Sequence, residues 1–240
     1  MLLSQDEARF PMVPTLAATL GVKGHRPTVG TRDCKDLLYV LAVVNLVSAA
    51  VHANTLESPR DAKKRTGRGK TRRLQEAFAA HLRHVGRVYP RERHPRVVLL
   101  IDNAPWHRGK PIDEALRDHP HLEFKRLPSY SPQLNPIERF WKKLRRRATH
   151  NRLFETLAEL KASLRASLCY FQTVRQKVRS IIEGDPGRRP ANEAASAGSC
   201  IRRFRRLIGV SLPIASETTL PRRHLVATAN SCQEVPPRNP

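Results

Sequence analysis

Short apolar runs separated by turn-forming residues dominate the first 56 positions of the chain. Residues 1–5 form an apolar stub that ends at Asp6, and they predict a first strand. Residues 11–33 are rich in proline and glycine and predict a loop. Two apolar, β-branched runs at 37–44 and 46–56 favour a hairpin or a bent pair of strands. A single buried helix over the same two runs is the alternative, because alanine and leucine are frequent there.

The middle of the chain alternates between helical spacing and short apolar runs. Apolar residues spaced three and four apart predict a helix over 73–88. Residues 96–101 form a short continuous apolar run, typical of a strand that is buried on both faces and flanked by helices. A helix at about 110–118 and a strand over 122–127 follow.

A proline-rich loop at 128–136 precedes the last predicted helices. Asn135 followed by Pro136 is typical of an N-cap with proline in the first helical position, and the helix is expected to run to about His150. A second helix over 155–182 carries a stripe of leucines.

The composition changes after Glu183. Residues 184–240 are rich in Pro, Ser, Ala and Arg and show little periodicity, which predicts a basic, largely disordered tail. We therefore expect a folded domain at 1–183 followed by this tail.

The charge of the chain indicates its partner. It has 44 Lys and Arg against 21 Asp and Glu, a formal net charge of +23, which favours nucleic acid first and an anionic membrane surface second. The alternative is that the positive charge serves only to keep the protein soluble. A basic stretch at 60–73 could grip phosphates, or it could be an exposed, mobile loop. The candidate DNA contacts are Lys63, Lys64, Arg65, Arg68, Lys70, Lys142 and Arg146.

Cysteines and apolar runs exclude several classes of protein. The four cysteines are scattered, with no C-x-x-C pair and no spacing typical of zinc, which suits a reducing cytosol. The longest apolar run, at 37–51, is interrupted and shorter than the about 20 residues that a bilayer requires. No signal peptide is visible. We expect a cytoplasmic protein with no membrane partner.

Three acidic residues stand out by their positions. Asp102 follows the buried run at 96–101, and a carboxylate at the end of a central strand lies at the sheet edge where sites form. Glu138 lies in the first turn of a helix that is entered through a rigid Asn–Pro turn. Asp6 ends the first apolar run. Each alone is more often a solvated acid or a cap, but together, in a chain poor in acids, they indicate a site.

Two of these acids lie within long motifs. The motifs are Leu99-Leu-Ile-Asp102-Asn-Ala-Pro-Trp-His107 and Leu127-Pro-Ser-Tyr-Ser-Pro-Gln-Leu-Asn-Pro-Ile-Glu138-Arg-Phe-Trp-Lys-Lys-Leu144, with 35 residues between the two acids. They closely resemble the second and third acidic motifs of the DDE superfamily, in its mariner-related bacterial insertion-sequence transposases. The resemblance covers residues 1 to about 183, and Asp6 matches the first acidic motif less specifically.

The resemblance implies a ribonuclease-H-like α/β fold, with a mixed five-stranded sheet and helices on both faces. It implies that Asp6 and Asp102 lie on adjacent strands beside Glu138, and that all three are catalytic and metal-binding. Oxygen ligands suit Mg²⁺, or Mn²⁺, and two ions per site would promote cleavage and transfer of DNA strands without a covalent protein–DNA intermediate.

Other residues of the matched motifs could support this site. Asn103, His107 and Asn135 could orient the carboxylates or contact the DNA backbone, although turn and cap roles are slightly favoured for the two asparagines. Trp106 and Trp141 are expected in the core. A basic helix face beside Glu138 would suit a track for DNA.

The same resemblance implies partners. They are DNA, at the element's terminal inverted repeats and at the target, and a second copy of the chain on that DNA. An N-terminal helix-turn-helix partner frame is expected, because nothing of that length precedes Asp6. One alternative is a catalytically silent remnant that only binds DNA. A general basic RNA-binding protein is another, resting on composition alone.

Overall fold

A mixed five-stranded sheet forms the centre of the molecule. The computed structural model describes residues 1–25, 27–31, 33–58, 67–129 and 131–184. The strands are β1 (Leu2–Pro11), β2 (Leu37–Asn45), β3 (Val51–Ser58), β4 (Val97–Ile101) and β5 (Leu122–Arg126), in the order β3-β2-β1-β4-β5. β1, β2 and β3 pair antiparallel, whereas β1 with β4 and β4 with β5 pair parallel.

Five helices accompany the sheet within the described part of the chain. They are α1 (Gly67–Val88), α2 (Lys110–Asp118), α3 (Ile137–Ala148), α4 (Leu157–Thr173) and α5 (Arg175–Glu183), with short 3-10 turns at Pro105–His107 and Pro132–Leu134. Among the described residues, no helix is both long enough and apolar enough to cross a bilayer. The predicted tail beyond residue 184 and Lys63, Lys64 and Arg65 lie outside the described residues, as does the side chain of Arg68.

The alternation of side chains along the strands divides the core into two layers. Leu3 packs with Phe78, Leu82 and Leu99 in a buried cluster beneath α1 and α2. On the other face, α3 and α4 cover the sheet, and Phe10 meets the Trp141 ring of α3 edge-on. The predicted mixed sheet with helices on both faces is confirmed.

The hairpin prediction is confirmed over the single buried helix. β2 and β3 are joined by a tight turn in which the side-chain oxygen of Asn45 accepts hydrogen bonds from the backbone N–H groups of Val47 and Ser48. Ala49 adopts a positive φ of 58° in this turn. The Asn45 side chain accepts hydrogen bonds from these two N–H groups, which therefore do not pair with a neighbouring strand, and β2 ends there.

The predicted ends of three elements were wrong. β1 does not stop at Asp6 but continues to Pro11, paired throughout with β2. α1 begins at Gly67 rather than at residue 73. The predicted helix over 155–182 is two helices separated at Val174, whose ψ of 66° is not helical. There, the Thr173 hydroxyl donates to the carbonyl of Tyr170, a local bond of the kind that competes with helix continuation.

Candidate active site

Asp6 and Asp102 come together because β1 and β4 are neighbouring parallel strands. Ser4 pairs with Leu100 in their register. Two residues further along each chain, Asp6 and Asp102 therefore reach the same level, with Asp102 directly after the last residue of β4.

Glu138 reaches the same place from a helix. It lies in the first turn of α3, which packs against β1. The three predicted acids thus line one open cleft of about 410 Å³. The other residues lining it are Asn103, Ala104, Leu127, Pro128, Ser129, Ser131 and Asn135.

Asp6 is the most buried acid of the cleft. It is 8% exposed and accepts a hydrogen bond of 2.9 Å from Nε1 of Trp141, which is buried as expected. Burial, and then the negative charges of Glu7 and Glu138, raise the pKa of Asp6 to about 7. Burial and the neighbouring negative charges therefore disfavour the ionised form of Asp6 more than its hydrogen bonds favour it.

Asp102 is more accessible and is held through one oxygen. Its side chain is 50% exposed, and Oδ1 lies 3.0 Å from Nδ1 of His107. The same oxygen accepts from the backbone N–H of Ala104 at 2.9 Å. Burial opposes ionisation of Asp102, but these hydrogen bonds outweigh it and lower the pKa of the carboxyl.

His107 lies between two carboxylates. Its fully buried ring places Nε2 at 3.0 and 3.1 Å from the two oxygens of Glu7, while Nδ1 faces Asp102. Burial lowers the pKa of His107, yet the hydrogen bonds to Asp102 and Glu7 outweigh it and raise that pKa to about 9. The side chain of His107 is therefore enclosed within the protein between Glu7 and Asp102 and does not line the cleft.

Glu7 is the residue that sequence reasoning missed. Its side chain is 4% exposed and accepts from Nε2 of Gln5 at 2.8 Å and from Nε1 of Trp106 at 3.1 Å. Trp106 was expected in the core, but its side chain is only half-buried. The signal was alternation: a strand that turns Asp6 to one face must turn Glu7 to the other.

The two motif asparagines line the cleft and also form hydrogen bonds within the protein. Nδ2 of Asn103 donates to the carbonyl of Leu127 at 2.8 Å and ties together the chain segments that follow β4 and β5. The N-cap prediction for Asn135 was wrong, because α3 begins after Pro136 with no side-chain cap. Oδ1 of Asn135 instead accepts from the Ser4 hydroxyl at 2.5 Å and so ties the start of α3 to β1.

The predicted DNA contacts lie partly beside the cleft. Lys142 and Arg146 are exposed and follow Glu138 at intervals of four, so they lie on the same face of α3. Lys70 is exposed near the start of α1.

The donor atoms of the cleft suit a hard divalent cation. Asp6, Asp102 and Glu138 offer only carboxylate oxygens, the ligands of Mg²⁺. Burial first, and then the negative charges of Glu7 and Glu138, raise the pKa of Asp6, and a cation in the cleft would favour its ionised form. Within the described part of the chain, no three His, Cys, Asp or Glu side chains gather closely enough to enclose a metal ion. Mg²⁺ sites in proteins often use few carboxylates, together with substrate phosphate and water.

Comparison with known sequences gives three matches. A family model described as DDE superfamily endonuclease matches residues 1–161. An uncharacterized protein of Sinorhizobium fredii is 34% identical over 80 residues, covering 33% of this chain and 55% of its own length. The insertion element IS630 uncharacterized 39 kDa protein of Shigella sonnei is 22% identical over 161 residues, covering 67% of this chain and 42% of its own. The chain spans about half the length of these curated relatives.

Solved structures share the fold. A pre-cleavage Mos1 transpososome aligns with a TM-score of 0.52 at 19% identity, covering 76% of this chain and 54% of that chain. The mariner Mos1 paired-end complex with Mg aligns with a TM-score of 0.51 at 18% identity, covering 76% and 53%. The predicted ribonuclease-H-like fold is thereby confirmed. With its family model covering the sheet and the cleft, the chain belongs to the DDE superfamily of endonucleases.

Proposed function

We propose that this chain is the catalytic domain of an insertion-sequence transposase, which cuts DNA and joins the freed 3′ end to a target. Asp6, Asp102 and Glu138 are the catalytic residues of this proposal. Its main support is that a strand, the end of the neighbouring strand and a helix bring these three carboxylates to one open cleft.

The three carboxylates have one role, which is to hold divalent cations, Mg²⁺ or Mn²⁺, with two ions per site. When bound, such ions activate water or a DNA 3′-hydroxyl and stabilise the leaving oxygen of an in-line displacement at phosphorus. The protein needs no nucleophile of its own for this reaction. Its residues place the carboxylates, and the half-exposed side chain of Asp102 leaves the cleft accessible to a DNA backbone.

Charge supports DNA as the substrate. The chain carries a net charge of +23, and Lys142 and Arg146 continue the helix face that bears Glu138. Phosphates held by these side chains would lie next to the carboxylates. The Shigella sonnei relative is named for an insertion element, which agrees with this role. A partner with a helix-turn-helix module that reads the element ends, and a second copy on the DNA, complete the proposal.

A nicking assay tests the proposed reaction. Supercoiled plasmid is incubated with the chain and Mn²⁺ or Mg²⁺, using Asp102→Asn and Glu138→Gln as variants. We expect each to lose at least about a hundredfold in rate, because removing a direct ligand costs more than removing the groups around it.

Asp113→Asn is the matched control, since Asp113 is an exposed acid in the first turn of α2 and its substitution is expected to leave nicking unchanged. Nicking that survives both cleft substitutions would overturn the assignment. DNA binding without any metal-dependent nicking would instead identify a catalytically silent DNA-binding protein.

A further inference from the structure

A continuous line of polar contacts runs from the buried interior to the cleft. It starts at Glu7, whose side chain is 4% exposed, passes through the fully buried ring of His107 and ends at Asp102, whose side chain is 50% exposed. The contacts along it measure 3.0 Å at each side of the imidazole. Glu7 points to the opposite face of β1 from its neighbour Asp6, yet this line connects it to an acid of the same cleft.

Glu7 is built as an anchor and not as a stray buried acid. A buried carboxylate is costly unless it is hydrogen-bonded and paired. Gln5 and His107 donate to one of its oxygens, and Trp106 and His107 to the other. Three side chains therefore fix the plane of the carboxylate, and that plane fixes where Nε2 of His107 lies.

The His107 ring is restrained from a further direction. The ring of Phe78, from α1, lies with its centroid 4.4 Å from that of the imidazole. A guanidinium nitrogen of Arg126 donates to the His107 carbonyl at 3.1 Å. Packing and backbone contacts thus restrain the imidazole in the orientation in which Nδ1 lies 3.0 Å from Oδ1 of Asp102.

Asp102 needs such support more than Asp6 does. It lies beyond the last residue of β4, so no strand pairing holds its backbone. Oδ1 is held by His107 and by the N–H of Ala104. Because the carboxylate is a rigid planar group, holding Oδ1 of Asp102 in this way also restricts the direction in which Oδ2 points.

We propose that Glu7 is a positioning residue, which acts through His107 to fix the carboxylate of Asp102 for a divalent cation in the cleft. This inference rests on the proposed function, because it concerns the same site. It assigns Glu7 a role in ion affinity, although Glu7 belongs neither to the acidic motifs around Asp102 and Glu138 nor to the cleft lining.

Binding of Mn²⁺ alone tests the inference without requiring catalysis. Mn²⁺ is titrated into the metal-free chain, without DNA, by calorimetry. In Glu7→Gln an N–H₂ group replaces one of the two oxygens that face Nε2 of His107 and the negative charge is lost. We therefore expect the Kd for Mn²⁺ to rise about tenfold, as for removal of other groups that orient metal ligands. Trp106→Phe, a milder change at a half-buried residue, is expected to raise the Kd less.

Val85→Ala provides the matched control. Val85 is fully buried in α1, two helical turns beyond Phe78, so its truncation destabilises the fold without touching the anchor. We expect its Kd for Mn²⁺ to equal that of the wild type, measured well below the Tm of every variant. The Mn²⁺ concentration that half-saturates nicking is expected to rise in Glu7→Gln in parallel with Kd.

Two results would overturn the positioning role. The first is a Kd for Glu7→Gln and Trp106→Phe equal to that of Val85→Ala. The second is a wild-type chain that binds no Mn²⁺, which removes the ion site as well. A wild-type chain that binds Mn²⁺ but never nicks DNA contradicts the proposed reaction only, and the ratio of Kd values still decides the role of Glu7.

Discussion

Asp6 and Glu7 are neighbours in the sequence, but a strand turns successive side chains to opposite faces of its sheet. Glu7 faces His107 and is satisfied by three donor side chains. Asp6 faces α3, receives one side-chain hydrogen bond from Trp141 and is repelled by Glu138. Glu7 is therefore well hydrogen-bonded within the protein, whereas burial and the neighbouring acids disfavour the ionised form of Asp6 at the cleft.

His81 gives the residue-scale prediction, which concerns acid stability. This α1 side chain is completely buried, with Nδ1 2.6 Å from Oδ1 of Asn54 and, among the described residues, no hydrogen-bond partner for Nε2. Burial first, and then the positive charges that His84 and His52 acquire, lower the pKa of His81 from 6.5 to about 3. Between these two pH values the unfolded chain therefore binds a proton that the folded chain does not.

The sign of the effect follows from linkage: this contribution to stability is present above pH 6.5 and is lost as the pH falls below it. At about pH 5 the loss is about 2 kcal/mol. We expect His81→Gln, which keeps a donor for Asn54, to reduce the difference in unfolding free energy between neutral and mildly acidic pH, measured with urea. His25→Gln, at an exposed position, is the control. An unchanged pH dependence in His81→Gln would contradict the explanation.

At the scale of elements, the sequence predicted what local periodicity encodes. β4 was predicted to within one residue because all five of its residues are buried, so both faces are apolar. β1 was predicted too short because its polar half, from Asp6 onward, is compensated by α3 and the 3-10 turn at Pro105–His107. A local pattern cannot show that a polar residue is satisfied by a group about 100 positions away.

The cleft was predictable to a similar extent. Asp102 and Glu138 could be identified from the sequence because each lies within an extended motif and at the recognisable end of a helix or strand. The N-cap prediction for Asn135 failed for a physical reason. An asparagine before proline suits an N-cap, but the side-chain oxygen of Asn135 accepts a hydrogen bond from the Ser4 hydroxyl of β1 instead. Alternation along β1 could place Glu7 on the face opposite Asp6, but its contacts with His107 and Trp106 could not be derived, since they depend on the register that brings β1 beside β4.

The packing of α1 against the end of α2 gives the element-scale prediction. Gly86 is buried in α1, and a methyl group there would overlap the ring of His119, the residue directly after α2. Alanine favours helix by about 1 kcal/mol over glycine, but overpacking costs about 1–3 kcal/mol. We expect Gly86→Ala to lower the free energy of unfolding in urea, because the ring is held close to its backbone and cannot yield freely.

A second background separates packing from propensity. His119→Ala removes the ring, and in that background Gly86→Ala is expected to be neutral or stabilising by up to about 1 kcal/mol. The difference between the two backgrounds measures the energy of this packing alone. Equal effects in both backgrounds would show that the ring does not limit this helix position.

At the scale of the whole molecule, the positive charge and the acidic cleft have complementary uses. The net charge of +23 favours binding of DNA in general, whereas in the proposed reaction the phosphate would approach the acids Asp6, Asp102 and Glu138. Cations on the face of α3 next to Glu138 would hold the flanking phosphates there. The strength of DNA binding and its position on the surface are therefore separate properties.

Salt dependence provides the prediction at this scale. Removing one cation that neutralises a DNA phosphate lowers the steepness of log K against log salt by about one. We expect Lys142→Gln and Arg146→Gln each to reduce the steepness in this way, since both side chains are exposed on the Glu138 face of α3. The measurement is fluorescence anisotropy with duplex DNA, between about 50 and about 200 mM salt, where such a dependence is large.

Lys143→Gln is the closest control that the chain offers. Lys143 is an equally charged, exposed residue of the same helix, but it is rotated by about 100° from Lys142. If DNA follows the Glu138 face, this substitution removes the same charge and leaves the slope nearly unchanged. Equal slopes for all three variants would show that the protein attracts DNA through its overall charge. The proposal that DNA follows the Glu138 face of α3 would then be wrong.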